Sequence, residues 1–123
     1  VPYEGGEVSP SKRRFFQRRK KSHGFVLSTD QTIQFWLKHN QITKKAQVTK
    51  LDDLDRKDEA RAERHEWRGQ KGVSVVLYKV IGGGHTWPGG RQYLPKKLIG
   101  PTCRDFNATE VIWQFFSKHS KVK

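Results

Sequence analysis

The sequence predicts an α/β fold, and three segments carry that expectation. Val73-Ser74-Val75-Val76-Leu77-Tyr78-Lys79-Val80-Ile81 is β-branched and nearly all apolar between Gly72 and Gly82, the pattern of a buried, central parallel strand. Ile33, Trp36 and Leu37 repeat at helical spacing ahead of it, and Val111, Ile112, Phe115 and Phe116 do so after it. The expected inventory is two to three strands and two main helices joined by long loops. With 123 residues, the chain is too short for a two-domain enzyme.

Taken in order, residues 1–24 read as loop. Val1-Pro2-Tyr3-Glu4-Gly5-Gly6 resembles the tail of a strand or loop entering a turn, with neither a leading Met nor a targeting segment, as in a chain cut from something longer. Ser28 followed by Gln31 is a capping box, so the first helix is expected at about 29–40, ending near Asn40. Residues 43–61 are polar. Asp52, Asp53, Asp55, Asp58 and Glu59 lack the glycine and terminal glutamate of a calcium loop, which leaves a solvated connector as the expectation. Residues 61–68 suit an edge strand ending at Gly69. The strand at 73–81 runs into Gly82-Gly83-Gly84-His85-Thr86-Trp87-Pro88-Gly89-Gly90, and residues 91–106 read as loop. Asn107 and Glu110 then start a helix over about 107–119, with Lys118 and His119 suited to the negative end of its dipole.

Charge at first points to nucleic acid. Lys and Arg number 25 against 12 Asp and Glu, a formal +13. Lys12-Arg13-Arg14-Phe15-Phe16-Gln17-Arg18-Arg19-Lys20-Lys21 supplies seven of those charges, which leaves the rest of the chain only mildly basic. Residues 9–24 are therefore expected to form a basic loop, either solvated or binding nucleic acid or another polyanion through residues 12–21, with Arg13, Arg14, Arg18 and Arg19 as the contacts. Phe15 and Phe16 either stack on bases or pin the loop to the body. A single Cys excludes a disulfide scaffold and zinc-finger spacing. No apolar run approaches the roughly 20 residues of a membrane span. His23, His39, His65 and His119 form no pair at metal-ligand spacing, so no metal or other cofactor is expected.

The chemistry-bearing stretch is the loop after the apolar strand. A histidine at the carboxyl end of a strand is placed as a general base requires, held by the sheet yet free to reach a nucleophile. Gly82, Gly83 and Gly84 allow close backbone approach and positive φ, and Trp87-Pro88 would stiffen the far side of the loop. The alternative is a simple turn with a surface histidine. No phosphate-loop pattern is present.

Val76-Leu77-Tyr78-Lys79-Val80 running into Gly82-Gly83-Gly84-His85-Thr86-Trp87-Pro88-Gly89-Gly90 resembles the C-terminal signature of the polyhydroxybutyrate depolymerase and feruloyl esterase family. Asp105-Phe106-Asn107-Ala108-Thr109-Glu110-Val111-Ile112-Trp113-Gln114-Phe115-Phe116 is similar to the family's closing helix. Val1-Pro2-Tyr3-Glu4-Gly5-Gly6 and Leu27-Ser28-Thr29 through Phe35-Trp36 resemble the segment after its catalytic acid. The resemblance implies that residues 1–123 are the C-terminal part of one α/β-hydrolase catalytic domain of Ser-His-Asp type, secreted or extracytoplasmic, acting on a polyester or plant cell-wall ester. It implies that His85 is the general base and that Trp87 either borders the ester cleft or simply packs the loop. The chain departs from the family in holding no G-x-S-x-G: Ser74 has Gly72 before it but Val76 after it. The serine and the acid are then expected upstream of Val1, and the chain alone is expected to be inactive. Asp30 and Asp105 are weaker candidates for the acid, since both stand at helix starts, where a carboxylate stabilises the dipole. Cys103 is expected as a free thiol or one whose partner is missing.

Overall fold

The computed structural model describes residues 3–7 and 24–119. The basic run at 12–21, with Arg13, Arg14, Arg18 and Arg19, lies outside the described residues. The chain divides into two compact units, Val1–Lys45 with Trp67–Val75 and Ala46–Glu66 with Val76–Lys123.

In the first unit, β1 (Gly6–Glu7) pairs antiparallel with β2 (Phe25–Val26). The chain then enters α1 (Thr29–His39) through the expected capping box. Gln31 N–H donates to Ser28 Oγ at 3.0 Å, and Ser28 N–H donates back to Gln31 Oε1 at 2.9 Å. Two otherwise orphaned donors are thereby satisfied at the helix entrance. Thr29 N–H donates to Tyr3 O at 2.8 Å, and Tyr3 Oη–H donates to Asp30 Oδ1 at 3.0 Å, so the 3–7 segment is laid against the helix start. After Asn40 the chain reverses through Gln41 at φ 54°, and Ile42 N–H donates to Leu37 O at 2.9 Å. Among the described residues of this unit, Leu37 and Ile42 are the buried apolar side chains. Its other segment, Trp67–Val75, contains the turn at 69–73. Lys71 and Gly72 both take positive φ there, the backbone whose twist suits two antiparallel strands.

The second unit holds most of a three-stranded sheet, β3 (Gln47–Lys50), β4 (Arg61–Arg68) and β5 (Ser74–Ile81), in the order β3-β4-β5. β3 runs antiparallel to β4, with Gln47 opposite Glu66 and Lys50 opposite Glu63. β4 and β5 are joined by a connection too short for a parallel crossover, so they too are antiparallel. The core beneath is made of small side chains, Ala60, Ala62 and Cys103, with Leu51, Val80 and Phe106 packed against them. Tyr78 of β5 stacks on Phe106 at 4.8 Å between ring centroids. α2 (Lys96–Ile99) is a single turn. α3 (Ala108–Ser117) opens with Asn107 Oδ1 accepting from Thr109 N–H at 3.0 Å and Glu110 N–H at 3.3 Å.

A mixed helix-and-strand fold is thus observed, with three helices and five strands among the described residues. That exceeds the two to three strands and two main helices expected, through the two-residue strands, β3 and the one-turn α2. β5 is not a buried parallel strand. It is antiparallel to its neighbour, and its residues are half-buried apart from the exposed Ile81. An apolar run fixes neither the direction nor the number of a strand's neighbours, and the short turn at 69–73 settles the direction here. β4 is the middle strand, not an edge, because β3 pairs along its outer side. Residues 43–61 are not a solvated connector. They contain β3 and place Asp58 and Ala60 in the interior, at 2% and 0% exposure.

Candidate active site at the histidine loop

The loop after β5 is held almost entirely by backbone. Gly84 N–H donates to Pro101 O at 2.8 Å, His85 N–H to Ile99 O at 2.6 Å, and Gly89 N–H to Cys103 O at 2.8 Å. Thr86 Oγ1 adds a bond to Pro101 O at 3.2 Å, and Tyr93 Oη–H donates to His85 O at 3.0 Å. Residues 99–105 therefore act as a spine along which the loop is strung. Gln92 braces that spine, donating from Nε2 to Gly100 O at 3.0 Å and accepting at Oε1 from Thr102 N–H and Oγ1–H, both at 2.9 Å.

The glycines admit this closeness. A Cβ at Gly84 would collide with Ile99 O and with the backbone of Gly100, and one at Gly100 would stand 2.5 Å from Gly84 Cα. The two backbones cross where no side chain fits. Gly82, at φ 76°, passes so close to the chain that a Cβ would sit 2.7 Å from Glu59 O. Gly83 abuts Val80, with Cγ1 2.5 Å from a Cβ built there.

With its backbone fastened on both sides, the His85 side chain is exposed. Among the described residues its imidazole makes no hydrogen bond. Trp87 Nε1–H donates to Thr109 Oγ1 at 3.1 Å, which sets the indole at the start of α3, and the ring remains 55% exposed. Pro88 O accepts from Ala108 N–H at 3.1 Å and ties the loop's far end to the same helix. The alternatives for the catalytic acid are engaged elsewhere. Asp30 receives the Tyr3 hydroxyl, and that bond joins burial in pushing the phenol above its usual range. Asp105 is buried and accepts from Leu54 N–H at 3.2 Å and Ala62 N–H at 3.0 Å. Ser74 is the first residue of β5 and lies in no G-x-S-x-G.

Beneath the spine lies a group that the sequence did not reveal. Single ligand atoms of Asp58, Cys103 and Asp105, all buried, lie within 4.8 Å of one another. Asp58 accepts from Ala60 N–H and Arg104 N–H, both at 2.8 Å, so each carboxylate already holds two backbone donors. Cys103 is a free thiol. Burial pushes it above its ordinary range, with the nearby Asp105 and Asp58 charges adding to that and the Asp105 backbone N–H opposing it. A protonated thiol and two backbone-saturated carboxylates make a fastening rather than a ligand set. Nothing in the spacing of Asp58 or Gln92 announces these roles. Gly100 carried the only local sign, as a glycine before a proline.

Among the described residues no helix is long and apolar enough to cross a membrane. No family model, curated protein or solved structure matches the chain.

Proposed function

We propose that this chain supplies the general base of a serine ester hydrolase, with His85 in that role, and that its substrate is a polyester or plant cell-wall ester handled outside the cytoplasm. The supporting observation is the contrast within one residue: the His85 backbone is bonded at both N–H and C=O, while its imidazole is exposed and unpartnered. An imidazole so placed has room for a serine hydroxyl on one nitrogen and an orienting carboxylate on the other. In the reaction it takes the serine proton as the hydroxyl attacks the ester carbonyl, then returns it to the leaving alcohol. The exposed face of Trp87 offers an apolar border to the same space. The resemblance of residues 76–90 to polyhydroxybutyrate depolymerases and feruloyl esterases supports the ester class.

No Ser here lies in G-x-S-x-G, and among the described residues no carboxylate makes a hydrogen bond or ion pair with the imidazole. The proposal therefore places serine and acid outside residues 1–123. The chain by itself is expected to hydrolyse p-nitrophenyl butyrate no faster than its His85→Ala variant. In a polypeptide joining it to a segment that bears the serine and acid, His85→Ala is expected to lower kcat by about four orders of magnitude. Equal activity of the two joined forms would sink the assignment. The alternative of a polyanion-binding module rests on the charge of residues 12–21, and no structural observation favours it.

A further inference from the structure

We infer that Asp58 and Asp105 are positioning residues for His85, acting through the spine at 99–105 as a reciprocal pair of carboxylate clasps. Every backbone N–H bond of the loop at Gly84, His85 and Gly89 ends on a carbonyl of that spine, at Pro101, Ile99 and Cys103. The spine in turn is fastened to the 54–62 segment by carboxylates facing in opposite directions. Asp58, on the 54–62 side, reaches across to Arg104 N–H at 2.8 Å and also holds Ala60 N–H. Asp105, on the spine, reaches back to Leu54 N–H at 3.2 Å and Ala62 N–H at 3.0 Å. Both acids are buried, at 2% and 7% exposure, so water does not readily replace either set of bonds. Cys103 Sγ lies within 4.8 Å of a carboxylate oxygen of each acid, and the backbone carbonyl of the same residue accepts from Gly89 N–H, so clasp and loop share a residue. Gly82 adds a direct contact, with its backbone against Glu59 O inside the clasped segment.

The clasps and the histidine loop therefore open and close as one piece. The catalytic meaning of this rests on His85 being the base, but the coupling itself does not. Amide hydrogen exchange of the full chain under low denaturant tests it without a variant. Leu54, Ala60, Ala62 and Arg104 report the clasps, and Gly84, His85 and Gly89 report the loop. All seven are expected to share one opening free energy and one denaturant dependence, as a single cooperative unit does. Separate opening of the loop overturns the inference, as does the absence of protection at these amides.

A second reading uses Asp58→Asn and Asp105→Asn, which keep the shape but turn one acceptor into a donor facing an N–H. Exchange at His85 and Gly89 is expected to accelerate about tenfold or more, and the His85 Cε1–H resonance to shift while that of His39 in the other unit stays in place. Faster exchange confined to Leu54, Ala60, Ala62 and Arg104, with His85 unmoved, overturns the inference. No ester enters either experiment, so a missing esterase activity refutes only the functional proposal and split opening refutes only this one.

Discussion

Gly84 shows how little freedom the site has at single positions. An added Cβ meets backbone atoms of Ile99 and Gly100, which cannot swing aside as a flexible side chain would. Gly84→Ala is expected to destabilise the fold by about 1–3 kcal/mol, read as a lower urea midpoint with an unchanged slope. Cys103 presents the opposite case, a reactive group made inert. Its thiol is 1% exposed and pushed above its ordinary 9.0 chiefly by burial. Native chain should resist iodoacetamide at neutral pH and react fully once unfolded. The same shift has a signed effect on stability. The thiol binds its proton more tightly folded than unfolded, so its contribution is complete below that ordinary value and is lost as pH rises through the folded one. Urea midpoints of the native chain should fall across that alkaline window more steeply than those of Cys103→Ala.

At the level of elements, the sequence carries local signals plainly and long-range ones hardly at all. Ser28 with Gln31 and Asn107 with Glu110 announced both main helices, because a cap is made by residues three apart. Ser28→Ala and Asn107→Ala are each expected to cost about 1 kcal/mol, measurable as a loss of helical ellipticity at lower urea. Strand order is a different matter. The apolar run at 73–81 announces a strand and a wish for burial, but its partner is chosen by the turn at 69–73 and by β3, a polar four-residue strand with no hydrophobic signature. Asp58 and Asp105 were hidden for a related reason. Their acceptors meet backbone N–H groups 43 to 51 residues away in three of the four bonds that matter most, counting the 46-residue span to Arg104. Backbone donors leave no mark on a sequence. His85 and its glycines were legible as a loop capable of close approach, whereas Gly100, the other half of the crossing, shows in the sequence only as a glycine before a proline.

Across the molecule, the balance of buried and exposed apolar groups is unusual. Among the described residues the buried set is Leu37, Ile42, Ala60, Ala62, Cys103 and Ala108, half of it alanine. Larger side chains are left outside, among them Trp113 at 72%, Phe116 at 63%, Phe25 at 80% and Leu98 at 73%. Small domains are marginal even when their large residues are inside, and exposed apolar patches invite association. The purified chain is therefore expected to bind a hydrophobic dye such as ANS at neutral pH and to grow in apparent size with concentration. A dye-silent monomer with a sharp thermal transition would contradict this. The formal charge of +13 opposes such association, so the growth in size should be greater at high salt than at low salt.

The crossing of Gly84 and Gly100 has one more consequence, for how the chain tolerates change in length. Because two backbones meet there, residues 85–99 form a closed ring whose neck is set by the glycines and not by what lies between. Extending such a ring costs little, about 0.6 kcal/mol for each doubling. Leu94 and Pro95, both exposed and within the ring, mark a place where extra residues enter, the tie to be spared being Gln92 Nε2, which bonds Leu94 O at 2.7 Å and Gly100 O at 3.0 Å. A short epitope or reporter peptide inserted between them should leave the His85 resonance where it was. The same insertion between Gly84 and His85 has no slack to use, since both N–H groups are already spoken for by Pro101 and Ile99.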